Sequence, residues 1–410
     1  LHGAAAPRAR LRTSELDYEL PPECIATHPA EPRDAARLLV CKRSDPAFLE
    51  HRRVRDLPEY LRAGDLMVVN DTRVLPARFR GVRRDTGGHA EGLYLSRGAG
   101  GGGVGVGGWR VLLKMRRQRA GVIVDLFDHD GRVSGVSLRL VERTSAEAAE
   151  GDASWLVEVL VDEVPDAGAK AGVDPLERVG WTPLPPYILA ARKAAHEERG
   201  DTVDRRDYQT VYAREEREGE GSVAAPTAGL HFTPGLLESL AAKGVERAAV
   251  TLHVGLGTFK PVETEFVDEH PMHAEWCHVP RVSMEAIAAR RRGGRGEPGA
   301  GTHGRVVAVG TTSLRTLESF ESFESHATPA EGLTRETRLL ITPGHRFRHA
   351  DALLTNFHLP RSTLIALVSA FLERPDHPGE GVTRLLTLYR EALQRGYRFY
   401  SFGDAMLVLP

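Results

Sequence analysis

Residues 57–79 read LPEYLRAGDLMVVNDTRVLPARF. A helical turn passes through Gly64 and Asp65 into the apolar run LMVV, which ends on Asn70 and Asp71. A short strand that is apolar on both faces suits a sheet covered on both sides, and polar residues leaving its end are where α/β proteins keep their chemistry. The same grammar returns after Trp181. Thr233 followed by Pro234 predicts an N-cap and a first-turn proline, ESLAAK reads as helix, and Gly244 stops it before the strand RAAVTLHV. A second step runs from Ser283 through MEAIAARRR and the loop GGRGEPGAGTHG to the strand RVVAVG and TTSLRTLESF. A third takes RLLITPG, TNFHLPRSTLIALVSAFL and RFYSF. Repeated β-α steps of this kind imply an α/β fold, a mixed and mostly parallel sheet with flanking helices.

Between these stretches the character changes. Short alternating segments (GLYLS, WRVLLK, GVIVDLF, VSGVSLRLV, SWLVEVLV) are separated by Gly and Asp turns, with little helical periodicity. The expected organisation is an α/β catalytic domain of residues 1–80 and 177–410, interrupted by an inserted β-barrel domain at 81–176. Gly98 to Gly108 (GAGGGGVGVGG) contains GxG patterns, but no helix follows, so it reads as a flexible hairpin tip and not as a nucleotide fingerprint. Residues 1–13 lack the apolar centre of a secretory signal and read as a disordered tail.

The chain has 410 residues, 41% hydrophobic and 27% charged, which excludes disordered and fibrous classes and suits two or three globular units. Its 54 basic and 56 acidic residues leave a net charge of −2, so contact with a polyanion must come from local patches. Three cysteines, Cys24, Cys41 and Cys277, are too few and scattered for a disulfide framework, and no apolar run approaches the roughly 18 residues of a membrane span. A cytoplasmic protein with no membrane association is expected.

The densest chemistry lies in GSVAAPTAGLHFT (221–233) and TLHVGLGTF (251–259), with a helix and a strand between them. Small residues let backbone approach a ligand, and His231 and His253 each adjoin such a stretch. Core histidines beside tight turns fit the same pattern. The β-α step between the two stretches returns the chain to one sheet edge, so the two histidines are expected to converge on one ligand. HPMHAEWCH (270–278) offers metal-type ligands, but it lies in a Pro-containing loop without a CxxC or HExxH partner, so no metal is expected. Glu275 within it, flanked by Ala274 and Trp276, has surroundings that suit a general base, although most such glutamates are solvated. Thr311, Thr312 and Ser313 open a helix after a strand and suit a carboxylate or phosphate, or plain N-capping. Asn356 and His358 precede the next helix at what should be the same edge. Basic patches occur at Arg78-Arg80-Arg83-Arg84, at Arg110 to Arg119 and at Arg290 to Arg292.

Taken together with DYELPPECIATHPAEPRDAARLLV (17–40), GDLMVVNDTRVLPAR (64–78), PLPPYI (183–188), DYQTVYA (207–213), HPMHAE, AVGTTSLRTLE, TNFHLPRSTL and YRFYSFGDAM, these stretches resemble the S-adenosylmethionine:tRNA ribosyltransferase-isomerases, the QueA family of queuosine synthesis. The resemblance spans residues 17 to about 406 in order. It implies an enzyme that transfers and isomerises the ribosyl moiety of S-adenosylmethionine onto 7-aminomethyl-7-deazaguanine at the tRNA wobble position, giving epoxyqueuosine-tRNA, adenine and methionine. S-Adenosylmethionine is then a co-substrate, no prosthetic group is needed, and tRNA is the partner of a monomer.

On that basis His231, His253, Asp71 and Glu275 are the catalytic candidates. Asn70, Arg73, Thr227, Gly229, Gly255, Gly257, Thr258, Thr311, Thr312, Ser313, Asn356 and His358 are the substrate-binding ones, and Arg78, Arg116, Arg117 and Arg119 the tRNA-binding ones. A Rossmann-type S-adenosylmethionine-dependent RNA methyltransferase would instead release S-adenosylhomocysteine. A non-catalytic tRNA-binding module would consume no co-substrate.

Overall fold

The computed structural model describes residues 10–98, 107–144, 154–162, 174–215, 221–255, 261–292, 304–323 and 329–410. Their strands are, in chain order, β1 (Arg37–Lys42), β2 (Leu49–Arg53), β3 (Leu66–Asn70), β4 (Arg78–Arg83), β5 (His89–Gly98), β6 (Gly108–Lys114), β7 (Ile123–Phe127), β8 (Val133–Arg143), β9 (Trp155–Val161), β10 (Glu246–Leu252), β11 (Glu275–Val279), β12 (Val306–Val309), β13 (Leu333–Thr337), β14 (Ala352–Asn356) and β15 (Ala405–Leu409). They fall into two compact units. One holds the described residues through Asn70, Pro226–Leu252 and the described residues from 261 onward, and the other holds those of Asp71–Ala225 together with 253–255.

In the first unit nine strands form one sheet in the order β13-β11-β10-β3-β12-β14-β15-β1-β2. The centre, β10-β3-β12-β14, is parallel, as is β15 on β1. The remaining pairs are antiparallel, so the sheet is mixed and its parallel part is the core. β3, β12 and β14 are buried at every position, so both faces of the central sheet are covered there. Thr233 caps the Pro234–Ala242 helix through Leu236 N, and Ser362 caps the apolar Thr363–Leu372 helix through Ile365 N. Arg10 and Arg12, read above as part of a tail, form ion pairs with Asp268, Glu269 and Glu265, and Thr13 N donates to Glu265 O. Residues 1–9 lie outside the described residues.

The second unit is built on a closed barrel, β4-β5-β6-β9-β8-β7, of antiparallel strands. Its core takes Phe79, Tyr94, Trp109, Val111, Leu126, Leu138, Trp155 and Val157. Phe79 pairs with Gly92 across β4 and β5, where a Cβ on Gly92 would stand 2.2 Å from the ring. Glycine there is what lets the Phe79 ring fold inward over the strand. The glycine-rich tip expected at Gly98 to Gly108 lies mostly outside the described residues.

Candidate active site

Because β10, β3, β12 and β14 run parallel, their C-terminal ends share one edge of the sheet. Asn70 closes β3 there and is fully buried. Its Nδ2 donates to Leu252 O (3.0 Å) and its Oδ1 accepts from Leu252 N (3.1 Å), so this side chain splints the end of β10. At the end of β14, Asn356 Oδ1 accepts from Thr227 Oγ1 (3.0 Å), and its Nδ2 lies 3.2 Å from both Tyr400 O and His231 Nε2. A backbone carbonyl can only accept, so it fixes the amide with its N–H group toward His231. The imidazole therefore accepts at Nε2 and carries its proton on Nδ1. Thr227, Gly229 and His231 all belong to one 3-10 turn, Thr227–His231, which packs on β14. Burial pushes His231 down to about 3, with Arg398 and Arg33 adding to the shift, so the ring is neutral near pH 7.

His358 lies two residues further along and is enclosed. Its backbone N–H donates to Tyr389 Oη (2.9 Å), Tyr18 Oη donates to its carbonyl, and its Nε2 meets Thr355 Oγ1 at 2.7 Å. Burial pushes this ring down to about 3 as well. Tyr389, Phe357 and Phe399 pack edge-on or tilted around the same turn.

After β12, Gly310 adopts φ +88° and starts the Thr311–Glu318 helix without a side-chain cap. Ser313 Oγ donates back to Val309 O (2.8 Å), while Thr311 and Thr312 are buried at the first turn. Glu275, at the start of β11, is buried in an ion pair with Arg315 of that helix. Arg315 is a residue that the sequence reading passed over. Its signal was a lone arginine one helical turn past the threonines, on a helix whose whole length is buried.

The other candidates sit in the barrel unit. Thr72 Oγ1 lies 3.0 Å from His253 Nδ1, and burial pushes His253 down to about 4, helped by Arg214. Ser222 ties the two quoted stretches together: its Oγ accepts from Val254 N (2.9 Å) and donates to Ala224 O (2.6 Å). Its backbone pairs with Arg73 and Leu75, and Arg214 N donates to Asp71 O (2.9 Å). Thus Asp71, Thr72, Arg73, Ser222 and His253 are knit into one local structure, to which Gly255 is adjacent. Thr72 and Ser222 were not among the sequence candidates, although both lie inside quoted stretches. Gly257 and Thr258 lie outside the described residues. His231 belongs to the α/β unit and His253 to the barrel unit.

Among the described residues no group of three or more His, Cys, Asp or Glu side chains is arranged to hold a metal ion. In β11 the burial alternates, placing Glu275 and Cys277 on one face and Trp276 and His278 on the other, where these two rings stack at 6.0 Å. Burial pushes the Cys277 thiol up to about 11.

The basic patches separate sharply. Arg83 donates to Arg116 O (2.7 Å) and pairs with Asp85, Arg84 pairs with Asp125, Arg290 with Glu246 and Arg291 with Asp351. Arg78 is half-buried, within 4.0 Å of Glu91. Arg116, Arg117 and Arg119 are exposed and make no ion pair with another described residue. The turn that presents them is fixed from below, since Gln118 Nε2 donates to Leu113 O (2.7 Å) and Trp155 Nε1 donates to Gln118 Oε1 (2.7 Å).

Residues 13–408 match the model of the family described as queuosine biosynthesis protein. The chain belongs to the queuosine biosynthesis protein family. That family match contains every candidate residue discussed above. Relatives named S-adenosylmethionine:tRNA ribosyltransferase-isomerase include one from Moorella thermoacetica, 45% identical over 97% of this chain and 100% of that protein, and one from Caulobacter vibrioides, 46% identical over 97% and 98%. Another, from Symbiobacterium thermophilum, is 43% identical over 97% and 100%. A solved structure of an S-adenosylmethionine tRNA ribosyltransferase from Thermotoga maritima is 32% identical, covering 96% of this chain and 100% of that one, with a TM-score of 0.47.

Proposed function

We propose that the chain is an S-adenosylmethionine:tRNA ribosyltransferase-isomerase of queuosine biosynthesis. The observation that carries this is similarity at 43 to 46% identity over 97% of the chain to proteins of that name. The reaction moves and rearranges the ribosyl part of S-adenosylmethionine onto 7-aminomethyl-7-deazaguanine at the tRNA wobble position. It yields epoxyqueuosine-tRNA, adenine and methionine. A sulfonium acidifies the neighbouring C5′–H, so a positioned base takes that proton, adenine leaves as the ribose opens, the aminomethyl nitrogen adds, and methionine departs as the epoxide closes.

His253 and Asp71 in the barrel unit, and His231 and Glu275 in the α/β unit, are the groups we assign to proton handling and to the charges that accompany it. Desolvation keeps both imidazoles neutral, the form in which histidine accepts a proton. We place the enzyme in the cytoplasm as a monomer acting on tRNA. No helix among the described residues is long and apolar enough to cross a membrane.

Adenine release, followed chromatographically, tests the assignment: it should require both S-adenosylmethionine and tRNA carrying the aminomethyl base. S-Adenosylhomocysteine in its place would establish a methyltransferase, and no turnover with intact tRNA binding a binding module.

The barrel supplies the tRNA contact in this reading. Support comes from the rigid turn that presents Arg116, Arg117 and Arg119 to solvent. Replacing all three by alanine is expected to weaken tRNA binding and to flatten its logarithmic salt dependence by about two to three, at 0.7 to 0.9 per lost phosphate contact, with the KM for S-adenosylmethionine unchanged. An unchanged salt slope in filter-binding titrations would mark this face as merely solvated.

A further inference from the structure

Two buried polar atoms of one helix, Thr312 Oγ1 and Arg315 Nη2, have no hydrogen-bond partner among the described residues. Both residues are more than nine-tenths buried, at 8% and 4% exposed. Leaving buried donors unmet is costly, most of all on a charged group, so such atoms in a native fold require an account. Residues three apart share a helix face, and side chains lean toward the helix N-terminus. Both atoms therefore belong to the first turns of the Thr311–Glu318 helix.

The register of the sheet places the guanidinium more closely. Leu252, the last residue of β10, pairs with Cys277, and Glu275 lies two residues before Cys277 on the antiparallel β11. Glu275 thus stands past the C-terminal end of β10. Arg315 reaches it through Nη1 while Nε donates to Leu339 O at 3.3 Å. That reach draws the guanidinium to the sheet edge at which Gly310 opens the helix. Gly310 brings no side-chain cap, and Thr312 Oγ1 lies 3.6 Å from where a Cβ on Gly310 would be.

The helix start thus combines the backbone N–H groups of Thr311 to Ser313, which no side chain caps, a hydroxyl and the unused Nη2 of a guanidinium, while the Gly310 N–H is spent on Leu354 O. All of these donate, and the positive end of the helix dipole adds to them, which suits an oxyanion.

We propose that this turn, Thr311 to Ser313 with Arg315 beside it, binds the methionyl carboxylate of S-adenosylmethionine. The proposal rests on the function assigned above. A tRNA phosphate offers the same oxyanion chemistry, but it is carried on a polymer backbone, whereas these groups are more than nine-tenths buried and suit the end of a small co-substrate. Thr312 and Arg315 are binding and positioning residues here.

The test is steady-state adenine release, each substrate varied in turn with the other saturating, for the wild type, Thr312→Val and Arg315→Lys, with decarboxylated S-adenosylmethionine as inhibitor. Thr312→Val keeps the side-chain shape and removes a hydroxyl that has no hydrogen-bond partner among the described residues, so its melting temperature should not fall. Arg315→Lys keeps a charge opposite Glu275 but loses the planar second nitrogen. Both variants are expected to raise the KM for S-adenosylmethionine about tenfold or more, as for losing a hydrogen bond to a charged group. The KM for tRNA and the Ki of the decarboxylated inhibitor should stay at wild-type values.

An unchanged KM for S-adenosylmethionine in folded Thr312→Val overturns the proposal. So does a Ki that rises in parallel with the KM, because the lost contact would then not be to the carboxylate. A rise confined to the KM for tRNA assigns the site to a phosphate and overturns it equally. Failure of the wild type itself to release adenine is a different result, which removes the functional reading and this proposal with it.

Discussion

His253→Ala lowers the rate of adenine release by about 10²- to 10⁴-fold, the loss typical of a proton-transfer group, with little change in melting temperature. The ring is only partly buried, with Thr72 Oγ1 3.0 Å from its Nδ1, so removing it opens less of a cavity than an enclosed ring would and should leave the barrel unit folded. Because burial pushes this imidazole down to about 4, it is neutral from pH 5 to 8 and should contribute no acid limb near 6.5 to the rate profile. A limb near 6.5 that disappears in His253→Ala would show a solvated ring and sink the account.

His231→Ala should differ in kind. That ring is fully enclosed and accepts from Asn356, so its loss leaves a cavity and an amide one partner short, costing about 2–4 kcal/mol of stability besides turnover. A folded His231→Ala protein with wild-type turnover would remove His231 from the mechanism.

How much of this was legible depended on which face of each element met water. β3 and β12 were plain because both faces are covered and the strand is a pure apolar run, LMVV or VVAV. The edge strands β2 (LEHRR) and β13 (LTRET) carry polar residues on their open faces and gave no signal. β4 hid for a related reason. In RFRGVR the inward positions are Phe79, Gly81 and Arg83, so the arginines read as a basic patch although Arg83 is spent holding the Arg116 turn.

At the site, the sequence names positions but not their partners. Asn70 was picked as a substrate ligand from its place at a strand end, and the structure has both of its amide atoms bonded to Leu252. Glu275 was picked from its apolar neighbours in sequence, and its decisive neighbour is Arg315, forty residues away. Histidine was favoured for a pKa near 6.5, a property that burial, invisible in one dimension, has removed from His231, His253 and His358.

That burial carries a second large effect, on acid stability. His231 and His358 both lie in the α/β unit, and burial pushes each down to about 3, against roughly 6.5 in an unfolded chain. Below 6.5 the unfolded state takes up protons that the native rings refuse. Stability is therefore whole above pH 6.5 and falls as pH drops toward 3, by about 1.4 kcal/mol per pH unit for each ring. Between pH 6.5 and 4 each ring removes roughly 3 kcal/mol, and the two together approach the 5–15 kcal/mol that holds a typical domain.

Glu318 and Asp65, both held below the carboxylate range by their hydrogen-bond partners, act in the same direction, so the total slope does not isolate the histidines. A difference between two proteins does. His358→Gln keeps a neutral acceptor for Thr355 Oγ1 and removes one titrating ring. Urea unfolding from pH 7 to 5 should find the variant less stable at pH 7, with a slope shallower by about 1.4 kcal/mol per pH unit, so that the two curves converge as the pH falls. Parallel curves would mean that the His358 ring takes its proton in the native state, in conflict with the enclosed turn that Tyr18, Thr355 and Tyr389 build around it.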